Sequence, residues 1–309
     1  MKLKMKLLIT GGSGMVGRNI LEHPNASKWE VLHPRRGVLD LTKVDQVEQY
    51  LIEKKPHMVI HAAGLVGSPQ ENLDNPLRFL DENMIMGRNI IMASFKSGVK
   101  SFLNISSNNI YPAKTKTPMR EDELLSGKLE KTNEGYSLAK LVCLKLCEYI
   151  SRSNKGFNYK TLVPCNMYGK FDKYHSLQSN LMAAIIMKVH DAKLNNSTSV
   201  KIWGDGNARR EFLFVGDMVE AIWKAAENMD KLPGIMNIGV GKDMSVQNYY
   251  ELIARIINWK GKFEYDLSKP VGMKRKLCNY SRQHSWGWHP KTPLTEGLRI
   301  TYDSYLSEC

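Results

Sequence analysis

The sequence predicts an α/β protein: a doubly wound, mostly parallel sheet with a smaller C-terminal α/β lobe. Three observations lead to this. Short apolar runs alternate with helical patterns through the first half, the rhythm of parallel βαβ units. A glycine-rich turn lies directly between the first apolar run and the first helical pattern. Beyond residue 165 the rhythm loosens into polar loops and separate helices.

Taken in order, residues 6–10 read as a first strand and 15–23 as a helix. Residues 30–33 form a second strand, 41–54 a helix with apolar positions near i, i+3 and i+4, and 58–62 a third strand. A helix over 83–96, a strand over 101–106, a long helix over 136–153 and a strand over 159–163 follow. In the second half, 169–179 is a polar loop, 180–193 a helix, 201–203 a short strand, and 215–229 and 245–257 helices. A short strand over 263–265 and a terminal helix over 290–306 complete the chain. Right-handed crossovers place a ligand crevice at the carboxyl ends of the strands. The expected division is a dinucleotide domain over 1–165, to which 208–236 returns, and a substrate lobe over 166–207 and 237–309.

With 309 residues, 42% hydrophobic and 24% charged, the composition is that of a globular chain with a sizeable core. No apolar run approaches the roughly 18–20 residues of a membrane span. The basic start leads only into Leu7, Leu8 and Ile9 and then Gly11-Gly12, without a signal-cleavage pattern, so a cytoplasmic protein with no membrane partner is expected. A formal charge of +13 calls for an anionic partner. No basic run is interleaved with aromatics, so phosphorylated small molecules are expected rather than nucleic acid. Cys143 and Cys147 share a helix face without further ligands at metal spacing, and all five cysteines read as free thiols, with no metal expected.

Gly11-Gly12-Ser13-Gly14-Met15-Val16-Gly17 joins the first strand to the first helix. Its glycines allow a tight turn and let backbone N–H groups meet a pyrophosphate at the positive helix end, as in Rossmann-type sites. Gly11, Ser13, Gly14, Met15 and Val16 are therefore expected at a dinucleotide. The second strand ends in His33-Pro34-Arg35-Arg36, with no acid before Asp40. A carboxylate there would repel a 2′-phosphate, whereas Arg35 and Arg36 accept one, so NADP(H) is preferred. Asp40 and Leu41 are expected beside the adenine. Ala62, Ala63 and Gly64 let the backbone approach the adenosine, and His61 is not assigned to catalysis.

Tyr136 and Lys140 stand at i and i+4 on one helical face, and Ser107 ends the fourth strand about 30 residues earlier. Reduction of a carbonyl needs a proton donor for the developing alkoxide. An ammonium beside a tyrosine stabilises the phenolate and draws its titration toward working pH, and a serine can hold the same oxygen.

With these pieces, the chain resembles the GDP-L-fucose synthase family of extended short-chain dehydrogenases/reductases, which epimerise and reduce a GDP-4-keto-6-deoxy sugar. The resemblance runs from Ile9–Gly17 to Trp286-Gly287-Trp288 through Ile110-Tyr111-Pro112, Leu146-Cys147-Glu148, Pro164-Cys165-Asn166-Met167-Tyr168-Gly169, Arg210-Glu211-Phe212-Leu213, Ser268-Lys269-Pro270 and Arg275-Lys276-Leu277. It implies that Pro164, Asn166 and Met167 line the nicotinamide. Lys188, Trp203, Arg210 and, more weakly, Lys269 would hold the GDP moiety. It also implies a homodimer in which the Tyr136 helix joins an intersubunit bundle, with Leu138, Val142 and Leu146 serving that contact or the core.

The pattern breaks at two places. The family's epimerisation uses a cysteine and a histidine beside the sugar's C3 and C5; here Asn109 and Asn180 stand in those positions. An amide does not shuttle protons near neutrality, and losing one acid or base costs roughly 10²–10⁴ in rate. The expectation is an NADPH-dependent C4-ketoreductase of a GDP-4-keto-6-deoxy hexose or heptose that has lost C3/C5 epimerisation. The rivals are a full GDP-L-fucose synthase, with Tyr174 or His175 as replacement shuttle, and a non-catalytic NADP(H)-binding protein, which would not need the Ser107, Tyr136 and Lys140 set.

Overall fold

A computed structural model describes residues 4–175, 179–269 and 271–308. Pro270 of the family-like segment, Cys309, and residues 176–178 of the polar loop lie outside the described residues.

The chain begins β1 (Lys6–Thr10), α1 (Met15–Glu22), β2 (Glu30–Leu32), α2 (Val44–Lys54) and β3 (Met58–His61). It continues through α3 (Pro69–Asp74), α4 (Pro76–Lys96), β4 (Ser101–Ile105), α5 (Glu134–Ser153), β5 (Asn158–Pro164) and β6 (Asn166–Tyr168). Next come α6 (Leu181–Leu194), β7 (Ser199–Trp203), β8 (Arg209–Arg210), β9 (Phe212–Phe214), α7 (Val215–Glu227), β10 (Ile235–Ile238) and β11 (Met244–Ser245). The last elements are α8 (Val246–Ile257), β12 (Lys262–Asp266), β13 (Arg275–Lys276), α9 (Ser281–Ser285) and α10 (Leu294–Glu308).

Six strands form one sheet in the order β10-β5-β4-β3-β1-β2, every pair parallel. The first crossover runs from β1 to one side and the next returns to its other side. That reversal opens a crevice beyond the carboxyl ends of β1 and β3. β3 is buried at all four positions and β4 at four of five, as expected for strands covered on both faces. One face is packed by α1 and α7 around Ile9, Ile60, Leu103 and the fully buried Trp223. The other is packed by α2, α4 and α5 around Leu51, Ile90, Phe102 and Cys147. Each such aliphatic side chain contributes about 1.5–3 kcal/mol by leaving water.

Two packed helices need glycine where they touch. A Cβ on Gly135 would fall 2.3 Å from the Pro76 carbonyl oxygen, and one on Gly87 would fall 2.1 Å from Cys143 Sγ. These close approaches set α5, which carries Tyr136, against α4.

The second half builds a separate core of α6, α8 and α10 around Ile186, Ile202, Tyr249 and Ile253. Three small sheets belong here: β6-β9, β7-β12 and β11-β8-β13. The segment carrying α7 and β10 packs on the large sheet, with β10 pairing along β5 and α7 beside α1. Tyr111, Asn237 and Glu121 fasten that sheet edge: the Tyr111 hydroxyl donates to Asn237 Oδ1 at 2.7 Å, and Asn237 N–H donates to Glu121 Oε1 at 2.9 Å.

Several expected boundaries shift. The helix expected over 83–96 starts at Pro76, because proline at a first helical position costs no hydrogen bond, and α3 precedes it behind a Ser68 cap. The terminal helix starts at Leu294, past the prolines at 290 and 293. The short strands β6, β8, β9, β10, β11 and β13 are two to four residues long and carry no readable period.

Candidate active site

The turn after β1 is shaped by exclusion of side chains. Gly11 has φ +77°, and a Cβ there would meet the Ala63 backbone nitrogen at 2.6 Å. A Cβ on Gly17 would lie 2.1 Å from the Gly11 carbonyl oxygen. The loops after β1 and β3 therefore lie backbone against backbone, which accounts for the glycine at position 11. Gly14 is the N-cap of α1; it brings no side-chain cap, and the first turn holds no acidic residue. The N–H groups of Met15 and Val16 and the exposed Ser13 are thus left to an external anion. A cradle that a single Cβ would fill, at an uncapped helix start, fits a dinucleotide pyrophosphate.

The turn after β2 presents Arg35 and Arg36 to solvent. Arg36 Nε lies 3.5 Å from Asp40 Oδ2, while Asp40 Oδ1 accepts from Thr42 N–H at 3.0 Å and from the Thr42 hydroxyl at 2.8 Å. Those bonds hold the Asp40 carboxyl below its ordinary value, the Thr42 backbone bond foremost. Asp40 is thus first a turn-fixing residue. Leu41 is buried in the core and its carbonyl accepts from Asn89 Nδ2 at 2.9 Å, so of Leu41 the backbone N–H is what is left to face a ligand. His61 is buried; burial and the Lys140 charge push it down to about 3, and it pairs with the Thr10 hydroxyl at 2.8 Å. It is a neutral structural histidine.

On α5, Tyr136 and Lys140 are both buried, and Lys140 Nζ stands 5.8 Å from the Tyr136 ring centroid. Lys140 Nζ donates to the Ile105 carbonyl at the end of β4 at 3.2 Å. That bond ties the lysine to the strand that delivers Ser107. Asn83, which sequence reasoning missed, accepts from Leu65 N–H and donates to Leu65 and Phe79 carbonyls, fixing the loop beside Gly64. A Cβ on Gly64 would lie 3.4 Å from Lys140 Nζ, so the glycine leaves the ammonium room.

Ser107 caps a short 3₁₀ turn, its Oγ accepting from Asn109 N–H at 3.2 Å. The buried Ser137, next to Tyr136, donates to the Asn109 carbonyl at 2.9 Å. Asn109 is thereby seated between Ser107 and Tyr136, and its side-chain Oδ1 accepts from Lys276 Nζ. Asn180 stands at the N-cap position of α6 without a side-chain cap bond, its side chain hydrogen-bonding the buried Asp172 carboxyl instead. Burial raises Asp172 to about 7 against the Lys173 and Asn180 hydrogen bonds, and its Oδ2 has no partner among the described residues. Pro164 ends β5 and Asn166 opens β6, its Nδ2 donating to the Glu211 carbonyl at 3.3 Å; Met167 packs against the core.

In the C-terminal lobe Trp203 is 44% exposed, with Lys188 Nζ 5.1 Å and Lys269 Nζ 5.5 Å from its ring centroid. An indole face flanked by two ammoniums suits an aromatic base joined to phosphates. Burial lowers Lys188 from its ordinary value. Arg210 behaves differently from expectation: its guanidinium donates to the carbonyls of Arg209, Met273 and Val271 at 2.9, 2.6 and 2.8 Å. Two of its five donors hold the chain segment leading to β13, a third turns back onto β8, and two are left for a ligand.

The parallel sheet, the glycine cradle and the Ser107, Tyr136 and Lys140 set define a dehydrogenase/reductase of the extended short-chain type. The chain belongs to the NAD dependent epimerase/dehydratase family, whose model matches residues 7–239. It is 48% identical over 302 residues to a GDP-L-fucose synthase of Azorhizobium caulinodans, covering 98% of this chain and 96% of that one. It is 43% identical to a GDP-L-colitose synthase of Yersinia pseudotuberculosis, covering 98% and 99%. The solved structure of a GDP-mannoheptose C4 reductase from Campylobacter jejuni with NADP bound superposes with TM-score 0.89 at 27% identity, covering 99% of both chains. That of a GDP-6-OMe-4-keto-L-xylo-heptose reductase from C. jejuni gives 0.92 at 26%, covering 100% and 99%. The chain is an enzyme, an NADP(H)-dependent oxidoreductase among GDP-sugar synthases and reductases.

Proposed function

We propose that the enzyme reduces the C4 keto group of a GDP-linked 4-keto-6-deoxy hexose or heptose without epimerising C3 or C5. The observation that carries this reading is the pairing of an intact Ser107, Tyr136 and Lys140 set with amides at Asn109 and Asn180. NADPH, held by the cradle at Gly11–Val16 with Arg35 at its 2′-phosphate, supplies the hydride when bound. The chain's own residues handle the oxygen: Ser107 holds the carbonyl by hydrogen bond, and Tyr136 gives its hydroxyl proton to the developing alkoxide. Lys140, anchored on Ile105 O, keeps a positive charge beside the phenolate. Lys188, Trp203 and Lys269 receive the GDP moiety. Of the three residues expected at an intersubunit contact, Leu138 and Val142 are exposed on α5 and support a homodimer through that helix, whereas Leu146 packs against the core.

A full GDP-L-fucose synthase is the second reading. It is favoured by the 48% relative and by Asp172, a carboxyl that titrates near neutrality in contact with Asn180. NMR of the product made from GDP-4-keto-6-deoxymannose and NADPH separates the two. Unchanged configuration at C3 and C5 is expected; inversion at either supports the synthase. Tyr136→Phe is expected to cut turnover by about 10²–10⁴, and full activity in that variant would remove the catalytic assignment.

A further inference from the structure

A carboxamide can face a partner with its oxygen or with its nitrogen, and the two ends recognise opposite chemistry. Asn109 has its orientation dictated. Its N–H is spent on Ser107 Oγ and its carbonyl on the Ser137 hydroxyl. Its Oδ1 takes a hydrogen bond from Lys276 Nζ, and an ammonium has donors only. The Nδ2 end is therefore turned away from the lysine, and no hydrogen bond from it is made among the described residues. Asn109 itself is only half-buried, next to Ser107.

Lys276 is built for this contact rather than for solvent. It is 9% exposed and sits on β13 opposite Arg210 of β8. Burial and the Arg210 charge lower its titration to about 8, against the opposing pull of Cys278 and Glu130, so it is still mostly an ammonium at pH 7. A buried cation spent on one neutral amide is costly, and what it fixes here is the orientation of that amide.

We propose that Lys276 is a positioning residue that fixes Asn109 as a hydrogen-bond donor to the sugar, so that the site selects substrates carrying a hydroxyl beside the reacting carbonyl. This rests on the C4-reductase reading. In a 4-keto-6-deoxypyranose, the carbons flanking the ketone are C3, which carries a hydroxyl, and C5, which carries the ring oxygen and an alkyl group. The exocyclic acceptor within reach of a donor adjacent to Ser107 is the C3 hydroxyl oxygen. A substitution that removes the family's thiol thus becomes a specificity element, and a 3-deoxy sugar leaves the amide donor unmatched.

The test compares kcat/KM for GDP-4-keto-6-deoxymannose and its 3-deoxy analogue. Wild type is expected to favour the 3-hydroxy sugar by about 10–100-fold, the range of one well-placed hydrogen bond at a partly exposed site. Asn109→Ala and Lys276→Met should bring the ratio close to one, and Lys276→Arg, also donor-only, should restore most of it. Because the readout is a ratio, lost folding or weaker GDP binding in a variant cancels. A wild-type ratio near one overturns the inference while leaving the reductase reading standing. A ratio unchanged in Lys276→Met overturns the lysine's role. Reduction of neither sugar by wild type overturns both.

Discussion

Replacing Glu211 with alanine removes the acceptor for one buried donor, the Tyr280 hydroxyl, and for two part-buried backbone N–H groups. Its Oε1 takes the N–H groups of Val240 at 2.7 Å and Gly241 at 2.6 Å, and its Oε2 takes the Tyr280 hydroxyl. Glu211 has no exposed surface, whereas Val240 and Gly241 are exposed, so water can replace the carboxylate for those two N–H groups but not for the buried Tyr280 hydroxyl. Each buried donor left unmade costs about 1–3 kcal/mol. Burial raises the carboxyl from its ordinary value, which offsets part of what the bonds contribute. With the full penalty at Tyr280 and a partial one at the two N–H groups, the net expectation for Glu211→Ala is a loss of about 3 kcal/mol in unfolding free energy. Glu211→Gln keeps one acceptor but turns an N–H toward donors, so it should lose about half as much. Urea unfolding followed by tryptophan fluorescence measures both. A loss below about 1 kcal/mol in the alanine variant would refute the reasoning, since the three donors would then have found other partners.

Arg36 shares its charge with Asp40, so Arg35→Ala should lower the NADPH-to-NADH preference more than Arg36→Ala, by about 10–100-fold, one charge-assisted bond; steady-state kinetics with both cofactors checks this. Asp172 has a carboxyl raised from 3.8 to about 7. The stability tied to its protonated form is fully present below about pH 4 and is lost as pH rises through about 7. Asp172→Asn should therefore unfold later than wild type at pH 8, by up to about 4 kcal/mol, with the advantage vanishing near pH 4, measured by denaturation at both pH values.

The cofactor half was legible because its signals are local. Gly11, Gly14 and Gly17 fall within one turn, and Tyr136 and Lys140 share one helix face at a fixed spacing. Family resemblance, rather than spacing, named Trp203, Lys188 and Lys269, which the fold brings together. What stayed hidden depends on contacts between distant residues. Lys276 meets Asn109 across 167 positions, from a strand two residues long with no period of its own. Arg210 looked like a free phosphate ligand because nothing in its neighbours in sequence reveals the carbonyls of Val271 and Met273. Asp172 read as one more polar loop residue, since nothing in its neighbours in sequence signals the burial that raises its carboxyl. The start of α4 was misplaced by seven residues because apolar periodicity marks the packed part of a helix, not its proline-led first turns.

Solvent exchange during turnover tests reduction without epimerisation most directly. The enzyme is run with NADPH and GDP-4-keto-6-deoxymannose in D₂O, alongside an enzyme-free control, and the product is read by NMR and mass. Proton abstraction from C3 or C5 would introduce deuterium there, whereas hydride delivered to C4 carries protium. With amides at Asn109 and Asn180, product with no deuterium at C3 or C5 above the control is expected. Deuterium at either carbon in step with product formation would contradict the account and return the enzyme to the epimerising reductases.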